Sequence, residues 1–441
     1  MKKVLVLGAG LVSKPLTHYL LEKGYDVTVA SRTVSKAEAL VEGYYNGTAE
    51  ALNVKDEAHL ENLITECDLA ISLLPYIYHV KVAKLCIKHN KNMVTTSYVS
   101  DAMQSLDEEA KDAGIIILNE IGLDPGIDHM SAMKIIHDVE NNGGKVISFR
   151  SYCGGLPAMQ NNNNPFGYKF SWSPRGVVMA GRNNGQYLEN DEVIFIPSKN
   201  LFKKYDYIDV EGVGTFEAYT NRNALPYKEI YGLKDAETVF RGTLRNTGWC
   251  YQMKKANELG LFDDTPREDL TDLTYREMMM KLIDIEESYD IVEEVAYFLG
   301  VEPHSAVIKR FQWLGLFEDE DLPDEDNVMD MFCALLQKKL SMQEDDLDLI
   351  VLYHEFIAEY DDKTEFITST LVQTGDPDGD SAMSRTVSLP AAIGAAMILE
   401  GKIDITGVHI PVKPEIYEPV LEELENLGIE CKECAKPHDF E

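Results

Sequence analysis

The feature that most constrains this chain is its opening. A short apolar run, Lys3–Leu7, ends in Gly8-Ala9-Gly10 and passes directly into an amphipathic stretch, Leu11–Lys23, with Leu16, Leu20 and Leu21 at helical spacing. Gly24 ends that stretch, and Asp26–Ala30 is rich in β-branched residues, as a strand is. The alternation continues. Helices are expected over Ser35–Glu42, Glu57–Glu66, His79–His89 and Met103–Asp112, and strands over Leu69–Leu74, Asn92–Thr96 and Ile115–Leu118. Apolar strands separated by amphipathic helices pair in parallel, with helices covering both faces of the sheet. The first part of the chain is therefore read as an α/β, Rossmann-type parallel-sheet domain.

The loop Gly8-Ala9-Gly10-Leu11-Val12-Ser13-Lys14-Pro15 stands where such a sheet binds a pyrophosphate. Glycines allow a tight turn and close backbone approach, and the helix start offers free N–H groups and a favourable dipole. Gly8, Gly10, Leu11 and Val12 are the expected cofactor contacts. Ser13 replaces the third glycine of the usual pattern. Cofactor choice is read at the end of the second strand, where NAD enzymes place an acid for the ribose hydroxyl. Here the chain reads Ala30-Ser31-Arg32-Thr33. A guanidinium flanked by two hydroxyls suits a 2′-phosphate, so NADP(H) is expected over NAD(H).

With 441 residues the chain exceeds one ordinary core, and roughly 100–200 residues per domain gives about two to four domains. The region 126–250 changes character, with Gly143-Gly144, Gly154-Gly155, the Asn161–Asn164 run and strand-like pieces Val146–Tyr152 and Gly214–Tyr219. It is read as α+β. Residues 251–347 are helical and acidic, and two segments, Leu259-Gly260-Leu261-Phe262 and Leu314-Gly315-Leu316-Phe317, look like glycine-terminated helices. Strand patterns return in Leu349–Tyr360 and Phe366–Val372, followed by a small-residue helix over Ser388–Leu399 and a last helix over Pro419–Leu427.

Composition excludes some classes. A net charge of −34 argues against nucleic-acid or anionic-membrane binding by the general surface. No run reads as the ~18–20 apolar residues that cross a bilayer. The apolar stretch at the N-terminus stops at Gly8, too soon for a signal peptide, so a cytoplasmic location is expected. Seven cysteines, an odd number, argue against a disulfide framework. Cys431 and Cys434, with His438 nearby, form a lone CxxC, read as ordinary thiols because no second pair exists; no metal is expected.

Several segments carry more polar chemistry than folding requires: Thr95-Thr96-Ser97-Tyr98, Asn119–His129, Ser151–Pro157, Pro165–Gly176, Thr220-Asn221-Arg222 and Arg241–Arg245. Within them stand the strings NEIGLDPGIDH (119–129), SYCGGLPA (151–158), GYKFSWSPRGV (167–177) and RGTLR (241–245), alongside ISLLPY (71–76) and TTSYVS (95–100). In that order, and over nearly the whole chain, they resemble the saccharopine reductases, the NADP-dependent, L-glutamate-forming saccharopine dehydrogenases.

The resemblance implies a homodimer of three-domain subunits. It implies an NADP-binding Rossmann domain at 1–125 and 382–410, a substrate and dimerisation domain at 126–250, 348–381 and 411–441, and an inserted helical domain at 251–347, a division that fits the composition shifts. It also implies the reaction, in which L-glutamate and L-2-aminoadipate 6-semialdehyde condense to an imine that NADPH reduces to saccharopine, or the reverse. It places Ser31, Arg32, Thr33, Asn53, Val54, Thr96, Ser97, Leu123, Asp124, Pro125 and Ser171 at the cofactor. Ser97, Tyr98, Asp124, Arg222 and the turn Thr243, Leu244, Arg245, Asn246, Thr247, Gly248 fall at the substrate.

Chemistry agrees with these implied roles. Saccharopine carries three carboxylates, which Arg222 and Arg245 can grip. Asp124 is the first candidate to stabilise an iminium, with Tyr98 and Cys153 as proton-relay or orienting groups. His129 is read as structural. Asn246, Thr247 and Asn223, and the segment Met159–Asn164, depart from the family's usual residues on the substrate side. The competing readings are a related imine reductase of carboxyspermidine type and a non-catalytic NADPH-binding protein. The paired arginines and the intact polar strings weigh against them.

Overall fold

A computed structural model describes residues 1–438. By compactness the chain divides into two units, Met1–Val146 with Ile357–Glu441, and Ile147–Phe356.

The first unit is built on a seven-stranded, wholly parallel sheet. Its first six strands are β1 (Lys3–Leu7), β2 (Asp26–Ser31), β3 (Gly47–Ala51), β4 (Leu69–Ser72), β5 (Asn92–Val94) and β6 (Ile116–Leu118). Their spatial order is β6-β5-β4-β1-β2-β3, and the late strand Gly407–His409 pairs with β6 to extend the sheet. The order reverses between β1 and β4, which opens a crevice at the carboxyl ends of those strands, the ligand position of doubly wound folds. Helices α1 (Lys14–Glu22), α2 (Val34–Val41), α3 (Glu57–Glu66) and α4 (His79–Lys88) make the crossovers.

The apolar strands pack as the alternation requires. Leu5, Leu7, Ala70 and Ile117 are buried with Leu60 and Ile64 of α3 and Val82 and Cys86 of α4. Sequence periodicity misses β3, whose Gly47-Thr48-Ala49-Glu50-Ala51 is only half-buried at the sheet edge and carries little apolar signal. The expected helix over Met103–Asp112 is two short helices, Asp101–Gln104 and Asp107–Asp112, each with its own cap residue.

The small-residue helix is longer than expected, Ala382–Leu399, and Pro390 lies inside it. It corrects the expectation about membrane-length runs: at 18 residues it is long and apolar enough to cross a membrane, yet 83% of it is buried inside the protein. It packs against α1 and the ends of β4 and β5. Ala391, Ala392, Gly394, Ala395 and Ala396 let it come close, and a Cβ on Gly394 would stand 2.7 Å from Ile121. The last strand among the described residues, Lys432–Pro437, is antiparallel to Thr364–Thr374, with Cys434 opposite Thr368 and exposed.

The second unit combines a sheet with a helical region. The strand Lys145–Pro157 enters the unit at Ile147 and pairs in parallel with Thr238–Arg245, which is flanked in turn by Gly214–Thr220 and Tyr205–Val210, both antiparallel. Helices from Trp249–Glu258 to Val328–Leu340 share a core that includes Phe262, Met278, Phe311 and Phe332. Both expected glycine stops occur, with Gly260 at φ +81° and Gly315 at φ +105°.

Candidate active site

The phosphate loop leaves β1 with Gly8 at φ +116°, and its N–H donates to the Ala30 carbonyl at 2.9 Å. A Cβ there would meet the Leu73 carbonyl at 3.1 Å. Gly10 faces open space. Ser13 is fully buried, and its hydroxyl donates to the Gly10 carbonyl at 2.7 Å, closing the turn from inside where the usual pattern has glycine. Leu11 stands outward, 69% exposed. At the end of β2, Arg32 and Thr33 are exposed; Arg32 forms no ion pair among the described residues, and the Thr33 hydroxyl is not spent on capping α2. Asn53 is exposed and Val54 is buried beside it. A glycine turn that leaves β1 at a positive φ, a helix start and an uncommitted guanidinium fit a dinucleotide carrying a 2′-phosphate.

Two loops meet at the carboxyl ends of β4, β5 and β6. The first, Thr95–Val99, is held by three backbone contacts: the N–H of Thr95 to the Leu118 carbonyl at 2.9 Å, that of Ile121 to the Thr95 carbonyl at 3.4 Å and that of Glu120 to the Ser97 carbonyl at 3.1 Å. Glu120, at φ +55° and almost fully buried, accepts from the Val99 N–H at 2.8 Å through one oxygen and contacts His129 Nε2 at 2.8 Å through the other. The tyrosine between these anchors, Tyr98, donates its hydroxyl proton to Asp124 Oδ1 at 2.8 Å.

The second loop carries Asp124 on a tight reversal. The Gly122 N–H donates to the Pro125 carbonyl at 2.9 Å, and the Gly126 N–H donates to Asp128 Oδ1 at 2.6 Å. Gly126 has φ +149°, and a Cβ on it would lie 2.0 Å from the Gly122 carbonyl oxygen, so only glycine closes this loop. Leu123 is buried and Asp124 is half-buried. Thr96 lines the same turn, its Cβ 3.1 Å from the Cβ position of Gly122.

In the second unit Cys153 is buried and sits beside Thr243 across the parallel strand pair. Leu244 is fully buried against Gly154. The turn after Arg245 is fixed from below. Glu217, buried, accepts from the Gly248 N–H at 2.7 Å and the Cys250 N–H at 2.8 Å, placing a carboxylate at the positive end of the helix Trp249–Glu258. Arg310 donates to the Gly248 carbonyl at 2.9 Å.

The two arginines differ. Arg245 is buried, its guanidinium 5.0 Å from the Tyr168 ring and 5.6 Å from the Trp249 ring, with no hydrogen bond at Nε. Arg222, at φ +56°, is exposed beyond the end of the Gly214–Thr220 strand. Arg245 faces Glu217 in the ladder, so the two arginine backbones stand five positions apart, on the order of 15 Å. Ser171 is buried, with no partner for its hydroxyl among the described residues.

The residues that depart from the family pattern have local work. Asn246 donates to the Gly167 carbonyl at 2.7 Å, tying the turn after RGTLR to the GYKFSW segment. Asn223 accepts from the Leu225 N–H at 3.0 Å. In the asparagine run, Asn161 donates to Asp346 at 3.1 Å, and Asn164 donates to the Tyr168 carbonyl at 2.8 Å. Asp346 in turn pairs with buried Lys169 at 2.6 Å.

Sequence reasoning missed the supporting acids and bases. Glu120 lies in NEIGLDPGIDH, where its position gives no sign of a bracing role. Glu217 left one signal, an acid between the buried Phe216 and Ala218 of a strand. His79 left none, because its partners Ser72 and Ser97 are 7 and 18 residues away.

A doubly wound sheet, a glycine phosphate turn and a guanidinium in place of the ribose-binding acid define an NADP-dependent oxidoreductase. Family models agree: the saccharopine dehydrogenase NADP-binding domain matches residues 4–118 and the saccharopine dehydrogenase C-terminal domain matches residues 122–429. Relatives include the saccharopine dehydrogenase [NADP(+), L-glutamate-forming] of Pyricularia oryzae, 40% identical over 98% of both chains, and that of Saccharomyces cerevisiae, 37% identical over 98% of this chain and 99% of the relative. The mouse mitochondrial alpha-aminoadipic semialdehyde synthase is 38% identical over 97% of this chain, which spans 47% of that relative. The apo structure of the yeast L-Glu-forming enzyme superposes with a TM-score of 0.90 at 36% identity, covering 99% of this chain and all of that one. The chain belongs to the saccharopine dehydrogenase family.

Proposed function

We propose that this chain is an NADP-dependent, L-glutamate-forming saccharopine dehydrogenase of lysine metabolism, and that Asp124 and Tyr98 stand at its reacting centre. Condensation of the glutamate amine with the aldehyde of 2-aminoadipate 6-semialdehyde forms a C=N bond and releases water. Reduction adds a hydride to that carbon and leaves a secondary amine; the reverse reaction oxidises saccharopine. The cofactor, when bound, supplies or accepts the hydride. The rest belongs to the protein.

The observation that carries this reading is the 2.8 Å hydrogen bond from Tyr98 to Asp124 on two braced loops at the carboxyl edge of the dinucleotide sheet. The bond holds the carboxylate in one orientation, and a fixed carboxylate stabilises positive charge on the imine nitrogen without reorganising. Tyr98 can shuttle a proton to or from Asp124 during condensation. Gly8, Gly10, Leu11, Val12, Ser31, Arg32, Thr33, Asn53, Val54, Thr96, Leu123, Pro125 and Ser171 serve the cofactor. Arg222 and Arg245 serve the substrate with Ser97 and the Thr243–Gly248 segment, the end of a strand and the turn that follows it. The spacing of the arginines suits separate carboxylates on one extended molecule. Cys153, a buried thiol, orients its neighbours and forms no covalent intermediate, because hydride transfer needs none.

The same proposal includes a cytoplasmic homodimer with the three-part domain division given above. Steady-state turnover with NADPH or NADH, and with glutamate or a polyamine as the amine partner, tests the reading. NADPH with glutamate is expected to be the fastest pair. Preference for a polyamine, or NADPH binding without substrate-dependent oxidation, would replace the reading.

A further inference from the structure

His79, the first residue of α4, belongs to none of the groups assigned so far, yet it bridges the end of β4 and one of the loops that frame the site. Its imidazole is 4% exposed. Nδ1 lies 2.9 Å from the Ser72 hydroxyl at the end of β4, and Nε2 lies 2.8 Å from the Ser97 hydroxyl on the loop after β5. The Ser72 carbonyl accepts from Thr95 Oγ1 at 2.9 Å, so the same strand end also ties down the base of that loop.

The direction of the two hydrogen bonds follows from counting protons. A neutral imidazole donates from one ring nitrogen and accepts at the other. Burial lowers the affinity of this ring for a second proton, bringing it to about 4, so it is neutral at physiological pH. Ser72 is fully buried, and among the described residues its hydroxyl has no partner besides Nδ1. Were Nδ1 to donate, the Ser72 proton would be buried without an acceptor, at the cost of an unsatisfied polar group. Ser72 therefore donates to Nδ1, the ring proton sits on Nε2, and Nε2 donates to Ser97. The Ser97 hydroxyl, already an acceptor inside, keeps its own proton for the open side of the loop.

We infer that His79 is a positioning residue whose fixed tautomer makes Ser97 a hydrogen-bond donor toward an acceptor oxygen, carboxylate or carboxamide, of the bound ligand. The inference rests on the proposed reading of Ser97 as a ligand contact. Substrates reaching this serine would be selected for an acceptor at that point, and a ligand offering only a donor there would be refused.

Nitrogen-15 NMR of the full chain labelled at histidine reads the bridge without any substrate. The His79 signals, assigned by their loss in His79→Gln, are expected to show bare Nδ1 and protonated Nε2. A proton on Nδ1 would overturn the bridge as drawn. Kinetics read its consequence. His79→Leu is expected to lower kcat/KM about tenfold, and His79→Gln, whose amide reaches the Nε2 position, is expected to recover most of that loss. In a Ser97→Ala background, His79→Leu is expected to cost little more, because both changes remove one interaction. Independent, additive losses would show that His79 does not act through Ser97. Full activity of Ser97→Ala would instead remove the reading of Ser97 as a ligand contact, whatever the tautomer. If His79→Leu fails to fold, Ser72→Ala serves in its place: loss of the single tautomer together with reduced kcat/KM supports the bridge, and an unchanged tautomer contradicts it.

Discussion

The loops of the first unit and the arginines of the second present polar chemistry in opposite ways. In the Rossmann unit the side chains of Ser97 and Tyr98 are partly exposed and braced from behind: Ser97 by buried His79, Tyr98 by half-buried Asp124, and the loop that carries them by buried Glu120, which contacts His129. In the second unit Arg245 is itself buried, packed against two aromatic rings, and its Nε has no hydrogen bond. The first arrangement separates support from function, so a substitution can remove one and spare the other. The second merges them in the proposed reading, where the buried guanidinium both packs and recognises carboxylates with the same atoms.

Substitutions can break this contrast. The largest effect is expected at Asp124→Asn, with kcat/KM falling about 100-fold or more and the melting temperature changing little, since the side chain is half-buried in a loop held by backbone contacts. Retention of full turnover would place the carboxylate's role elsewhere. Next come the arginines compared with each other. Exposed Arg222→Met is expected to raise the KM for saccharopine about tenfold or more without moving Tm. Buried Arg245→Met is expected to raise KM and lower Tm together. Equal behaviour of the two would show that burial does not set these arginines apart. Arg32→Ala is expected to weaken NADPH about tenfold and leave NADH unchanged, as measured by fluorescence titration.

The smallest effect concerns pH and stability. His79 holds its second proton only near pH 4, against 6.5 for the ordinary side chain. Between those values the unfolded chain binds a proton that the folded chain refuses, so this contribution to stability is complete above about 6.5 and is lost as pH falls toward 4. His79→Gln should flatten that part of the stability curve in urea titrations; an unchanged slope would show that the imidazole is not the group responsible.

What could be read from the sequence divides along the same line. The strand-helix alternation, the Gly8-Ala9-Gly10 turn and Arg32 are local patterns, and local patterns survive translation into structure: α3 spans Glu57–Glu66 as its periodicity predicts. The strand β3 escaped because an edge strand need bury little. The braces escaped for a different reason. Glu120 with Val99, Glu217 with Gly248 and His79 with Ser72 and Ser97 are contacts made by folding, across 7 to 31 residues. Nothing in the spacing of such residues sets them apart from ordinary polar ones. Asn246, Asn161 and Asn164 show the converse. They read as departures on the substrate side, and the structure gives each a hydrogen bond that shapes its own turn.

The proposed reaction moves hydride between the nicotinamide and the carbon joining glutamate's nitrogen to the aminoadipate chain. The direct test is to run the reductive reaction with NADPH deuterated at its transferable position and to analyse the product by mass spectrometry. One deuterium is predicted in saccharopine, on the carbon that was the aldehyde. Saccharopine formed without deuterium, or NADPH consumed with no saccharopine formed, would contradict it.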